Sequence, residues 1–235
     1  MAKSPVMLAR ERKLAERAAA TTPHGATVTG SAYELMLAQL VEHKRALKDI
    51  QSVERKIEAK RSFLPVYDAW VTAALEHGRG AQDLVLMTVL VWYLDVGDFA
   101  RGLAVAEYAI RHGLTLPDQY DRKLPTLLLD EVAGAALAGK IPAETALQVL
   151  QQVEALTAEH DAPDQARAKL QKAIGYALIG RLWASDVDIA ALPAEVAQAA
   201  LPPLRRALEL FEGVGVKKDI ERLERRLKTA GGDGA

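Results

Sequence analysis

Residues 80–110 read GAQDLVLMTVLVWYLDVGDFARGLAVAEYAI. From Leu84 to Leu94 the stretch is apolar except for Thr88, and it stops at Asp95. A run this short cannot cross a bilayer, which takes roughly 20 residues. It shows no alternation of period two, so it predicts a helix over 81–94 that is buried on nearly every side. The string DVGD at 95–98 is a turn, and Asp98 stands where an N-cap belongs. Phe99, Leu103, Ala106 and Ile110 then recur at helical spacing, and Gly113 supplies the stop. Two helices joined by a short Gly-containing turn make an αα-hairpin.

The rest of the chain extends that reading. Ala104, Ala106 and Ala109 permit close helix approach, as in a tetratricopeptide-like hairpin, although no clean 34-residue period recurs. Hydrophobic residues make up 50% and aromatics 5%, and alanine and leucine dominate, which favours helix over sheet. Helices are predicted at 5–20, 125–139, 143–159 and 164–182. The segment 194–212 is one helix or two, because Pro202 and Pro203 fall inside it. The expected fold is all-α: a helical bundle with a long N-terminal coiled-coil-like helix and tetratricopeptide-like helical hairpins.

The long helix is expected from Ser31. Ser31 and Glu34 match a capping box, and Met36, Leu40, His43, Leu47, Ile50, Glu54 and Ile57 form a seam with two polar interruptions. Ser62 is the expected N-cap of the next helix. Ahead of the seam, TTPHGATVTGS at 21–31 reads as a flexible linker.

Charge is distributed unevenly. Residues 1–62 carry 12 Lys/Arg against 7 Asp/Glu, a net +5, and the remainder carries −6. A basic head on an acidic body points to a polyanionic partner. On the long helix Lys44, Arg45, Lys48, Arg55, Lys56, Lys60 and Arg61 would form a surface able to neutralise phosphates without reading bases. On one continuous helix 44, 48 and 55 share a face, with 45, 56 and 60 on its neighbour. Arg10, Arg12, Lys13 and Arg17 extend the basic region into the arm. A second set, Lys217, Lys218, Arg222, Arg225, Arg226 and Lys228, is diluted by Glu221 and Glu224 and suits the C-terminal end of a helix dipole.

Catalytic signatures are sparse. The chain has no cysteine, which fits a reducing cytosol and excludes thiolate metal sites. The N-terminus lacks the apolar core of a secretory signal. His24, His43, His77, His112 and His160 contain no i, i+4 pair, GRGAQD lacks the Lys-Ser/Thr of a phosphate loop, and no Gly-x-Ser-x-Gly is present. Asp95, Asp98, Asp118, Asp121, Asp130 and Glu131 are the acids that a metal-dependent nuclease would need to converge. Capping accounts for Asp98, and a polar loop accounts for Asp118 and Asp121.

The string GRGAQDLVLMTVLVWYLDVGDFARGLAVAEYAIRHGLTLP (78–117) resembles the central signature of the terminase small subunit of temperate contractile-tailed phages, a family also catalogued as a terminase endonuclease subunit. The resemblance continues in YELMLAQL, LPVYDAWV, DEVAGAAL, APDQARAKLQKAIG and GVKKDIERLERRLK, covering about 31–228 and weakening around 183–205. The chain departs from some relatives in lacking a long basic tail. The resemblance implies binding of the packaging (cohesive-end) site on double-stranded viral DNA. It also implies recruitment of the terminase large subunit, a homo-oligomeric ring, and action in the host bacterial cytoplasm with no membrane. It implies no catalytic residue, no metal site and no cofactor. Mg²⁺ enters only if the chain is itself an endonuclease, using some of Asp83, Asp95, Asp98, Asp118 and Asp121. A third reading is a helical scaffold without a DNA role. The expected division is a flexible basic arm at 1–30, the long basic helix at 31–62 for DNA binding and/or oligomerisation, a helical core at 63–228 for oligomerisation and large-subunit docking, and a disordered tail at 229–235.

Overall fold

The computed structural model describes residues 5–184 and 186–232. Among these residues the fold is all-α. No strand forms, although an isolated bridge joins Thr27 to Gln82. The chain divides into two compact units, one ending at Leu124 and the other beginning at Pro125.

The first unit is built around the stretch that opened the sequence. Helices α1 (Pro5–Thr21), α2 (Ser31–Asp49), α3 (Val53–Phe63) and α4 (Asp68–His77) precede α5 (Leu84–Asp95) and α6 (Phe99–His112). Every residue of α5 from Val85 to Leu94 is buried, as its all-round apolarity requires. Each large side chain so buried stabilises by about 1.5–3 kcal/mol. Asp98 caps α6 by accepting from the Arg101 backbone N–H at 3.2 Å, and Gly113 closes α6 in the left-handed region at φ 68°. Gly102 lets α6 approach α5: a Cβ there would lie 2.9 Å from Leu94 Cδ2.

Three local expectations differ from the structure. The long helix is two helices. Ile50 leaves α2 in an extended conformation (φ −93°, ψ 124°), and the Ser52 side chain caps α3 by accepting from the Arg55 N–H. On a continuous helix His43 and Phe63 would be about 30 Å apart. Here their rings stack at 3.9 Å, so α3 turns back along α2. The capping box does not form: Gly30 holds the cap position at φ 103° and no side chain caps α2. Ser62 lies within α3 and donates to the Ala59 carbonyl, and a 3₁₀ turn at Leu64–Tyr67 leads into α4.

The stretch read as a linker is tied to the core. Gly25 N–H donates to Gly80 O at 3.1 Å, Gln82 N–H to Ala26 O at 2.8 Å, and Val28 N–H to Gln82 O at 3.0 Å. Helix α1 packs on α4 and buries Ala15. The helix expected at 5–20 is present, and it is docked on α4.

The second unit contains α7 (Leu124–Leu137, begun at the boundary), α8 (Ala143–Thr157), α9 (Asp164–Leu178), α10 (Ala194–Leu210) and α11 (Lys217–Gly232). From α8 to α11 each helix packs on the next. Helix α10 runs unbroken through Pro202 and Pro203. Each proline removes a donor from the carbonyl four residues earlier. The cost is carried by the face of α10 (Ala197, Ala200, Leu201, Leu204, Ala207) buried on α9. Gly175 makes that contact intimate: a Cβ there would fall 2.5 Å from Leu204 Cδ2. Buried Asp219, in the first turn of α11, accepts from the Tyr176 hydroxyl at 2.8 Å and from Arg181, anchoring α11 to the end of α9. The expected tail falls partly in the last turns of α11, and residues 233–235 lie outside the described residues.

Candidate nucleic-acid interface

The eleven cations read from sequence fall into three groups. The first is spent inside the fold. Lys60 Nζ meets Asp95 Oδ2 at 2.5 Å with only 19% of its side chain exposed, and Arg61 Nη2 donates to Val96 O at 3.2 Å. Both cations therefore sit at the C-terminal end of α5, where the helix dipole favours them, and they fix α3 against that end. The second group is lightly engaged. Arg12 pairs with Glu16 at 3.9 Å and Arg45 with Glu42 at 3.6 Å, both well exposed, while Lys44 Nζ donates to Gln119 Oε1 at 2.7 Å. Exposed pairs of this kind contribute about 0–1 kcal/mol, so a phosphate can displace them.

The third group is unpartnered. Among the described residues, Arg10, Lys13 and Arg17 on α1, Lys48 on α2, and Arg55 and Lys56 on α3 make no ion pair or side-chain hydrogen bond. Lys44 and Lys48 remain one turn apart on α2. The break at Ile50–Ser52 removes Arg55, Lys56 and Lys60 from the faces assigned to them on a continuous helix.

The candidate acids do not converge. Asp83 is 3% exposed and accepts from Trp70 Nε1 at 2.7 Å and the Leu86 N–H at 2.9 Å, which makes it the N-cap of α5. Burial raises its pKa, and the same hydrogen bonds oppose that rise. Asp95 serves Lys60, and Asp98 caps α6 and lies 3.7 Å from Arg101 Nε. Asp118 and Asp121 are exposed in the loop between α6 and α7. Among the described residues no group of three or more His, Asp or Glu is placed to hold a metal ion.

Sequence reasoning misread His43 as a polar gap in a seam. Its ring stacks on Phe63, and Nδ1 lies 2.8 Å from the Tyr67 hydroxyl and Nε2 2.9 Å from Gln39 Nε2. Trp92 completes the aromatic surround, and burial lowers the His43 pKa. No spacing rule exposes this cluster, because it exists only once α3 has turned back.

The profile of the family described as phage small terminase subunit matches residues 37–165, more than half of the chain. This chain belongs to that family. The small terminase identity carries a role in phage DNA packaging. The terminase, endonuclease subunit of Escherichia phage P2 is 44% identical over 215 residues, covering 91% of this chain and 80% of that protein. The probable terminase, endonuclease subunit of Haemophilus phage HP1 is 28% identical over 204 residues, covering 84% and 71%. No solved structure matches this small terminase. The matched span begins within α2 and ends at the start of α9, leaving α1, α10 and α11 outside it. Among the described residues, no helix is long and apolar enough to cross a membrane.

Proposed function

We propose that this small terminase binds the packaging site of double-stranded viral DNA through backbone phosphates and hands it to the large ATPase subunit. The observation that carries the reading is the set of six unpartnered cations on α1, α2 and α3 within a region of net charge +5. Buried cations are paired as a rule; five of these six are exposed and Lys56 is half-buried, all without a protein partner among the described residues. Contact with about six phosphates gives a log–log salt slope near −5. The triple variant Lys48→Gln, Arg55→Gln, Lys56→Gln should flatten that slope by about 3 and leave helicity unchanged. Unaltered duplex affinity in a fluorescence anisotropy titration overturns the assignment. Self-association into a ring fits the exposed Val6, Met7 and Leu8 on α1, Leu35 and Val41 on α2, and Val53 on α3. Multi-angle scattering of the purified chain tests that part.

A second reading follows from the printed names of the relatives, which carry the word endonuclease. Under it the chain cuts the cohesive-end site with Mg²⁺ or Mn²⁺. Site-specific nicking by the purified chain, without the large subunit, would favour that reading. Intact DNA under the same conditions would leave the cut to another component of the terminase.

A further inference from the structure

The second unit holds an open cleft of about 620 Å³ between the loop ahead of α10 and the C-terminal half of α11. Arg222, Arg225 and Arg226 project into it from α11, and Asp186 and Asp188 lie along its loop side. The ion-pair geometry separates these charges. Among the described residues no arginine of the cleft forms an ion pair: Glu221 pairs with none of them, and Glu224 binds Arg205 at 2.6 Å. Arg226 donates through Nε to Leu192 O at 2.9 Å, which ties α11 to the loop ahead of α10 and leaves its two terminal nitrogens available. One oxygen of Asp188 accepts from the Ala190 N–H at 3.0 Å, so the loop wall is held by its own short turn.

Arg222 lies one turn from both Arg225 and Arg226, and three unpaired guanidinium groups lining one cleft repel one another unless an anion sits between them. Arg222 and Arg226 are separated by about 6 Å along the helix axis, so they reach more than one phosphate group. The cleft is also far larger than a single oxyanion. Its opposite wall accepts rather than donates hydrogen bonds, and this decides between occupants. An acidic polypeptide would meet Asp186 and Asp188 as like charges all along its length. A nucleic-acid strand presents phosphates to one side and amino donors to the other, and carboxylates accept from the cytosine amino group.

We infer that this cleft is a second nucleic-acid contact, in which Arg222, Arg225 and Arg226 hold backbone phosphates and Asp186 and Asp188 face the bases. The inference rests on the DNA-binding reading above but assigns the contact to the other unit, outside the span matched by the family profile. It gives a role to three of the six C-terminal cations, a set which the sequence alone explains as a complement to the helix dipole.

The test uses the full chain with a labelled duplex and a labelled single strand of the same sequence in anisotropy titrations across a salt series, and an Arg222→Gln, Arg225→Gln pair silent on both overturns the cleft. The exposed pair Arg222→Gln, Arg225→Gln preserves helix propensity and leaves the Arg226 tie intact. It should weaken duplex binding at least about tenfold at low salt and flatten the salt slope by about 2, and Arg222→Lys, Arg225→Lys should restore the slope. Circular dichroism confirms folding in each case. Unchanged affinity and slope in the Gln pair on both probes leave the head reading standing. A Gln pair that weakens binding, beside a silent Lys48→Gln, Arg55→Gln, Lys56→Gln triple, supports the cleft and removes the head. Inorganic phosphate and an Asp/Glu-rich peptide are titrated in parallel. Arginine-dependent binding of either, with no effect on the duplex or the single strand, overturns the nucleic-acid assignment.

Discussion

Trp70 and Asp83 provide the sharpest test of whether the acids of the central stretch are structural. The Asp83 carboxylate spends one oxygen on the Leu86 N–H and the other on Trp70 Nε1. Asp83→Ser keeps a capping hydroxyl but orphans the buried indole N–H, at about 1–3 kcal/mol. Trp70→Phe removes a donor from a buried charge, at about 1.5–3 kcal/mol, and leaves a smaller ring. In the double variant neither orphan remains: the serine still caps α5, and phenylalanine needs no partner. Its cost should therefore be about 2 kcal/mol rather than the roughly 4 of a simple sum, a coupling near 2 kcal/mol. Amide hydrogen exchange on peptides of the first unit reads this without interference from the second. Burial raises the pKa of Asp83, so the folded state takes up its proton first. The associated stability is present below the unfolded carboxylate range and is lost as pH rises through the raised value. Wild type should therefore weaken with rising pH relative to Asp83→Ser. Additivity within about 0.5 kcal/mol refutes the capping account, and a cost of Asp83→Ser that does not change with pH refutes the burial-driven shift.

Other outcomes follow from single contacts. Pro202→Ala restores a donor to the Gln198 carbonyl and should stabilise the second unit by about 2 kcal/mol, after allowing for the freer unfolded chain, as read by urea titration. Gly175→Ala gains at most about 1 kcal/mol of helix propensity, whereas the 2.5 Å approach to Leu204 costs about 1–3 kcal/mol, so the net effect should be a lowered melting temperature. The pKa of His43 is lowered by burial, so the unfolded chain binds the proton first. Stability should fall as pH drops through the ordinary histidine value of 6.5, and His43→Gln should blunt that loss in paired denaturation curves at pH 7.5 and 5.5.

The parts of the fold set by local chemistry were legible in the residues. The all-round apolarity of α5, the Asp98 cap and the Gly113 stop each depend on neighbours within a few positions, and each is found where expected. What escaped depends on partners far along the chain. Nothing in KDIQSVE separates a continuing helix from one ending at Asp49, because the reward for ending it is the stacking of His43 on Phe63. Ser52 was the available signal, a capping residue in mid-helix, and it was outweighed by a seam whose spacing continued across the break. The prolines of α10 left one helix or two open in the sequence, and packing on Gly175 favours the single helix. The basic residues were legible as a composition. Which of them the fold consumes was not, since Lys60 and Arg61 find their partners at Asp95 and Val96.

That sorting of cations bounds what the head can do. The six unpartnered side chains support a salt slope near −5. Arg12 and Arg45 leave only weak exposed pairs, and Lys44 leaves a neutral amide, so these three can join at little cost and steepen the slope to about −8. Lys60 and Arg61 cannot follow, because a phosphate would have to draw them from the end of α5 and release α3 from the core. With Lys3, the twelfth cation of residues 1–62, also counted, a single chain whose measured slope exceeds about −9 must be gripping phosphates beyond that region. The cleft over α11, with three arginines free of ion pairs, is where that excess would come from.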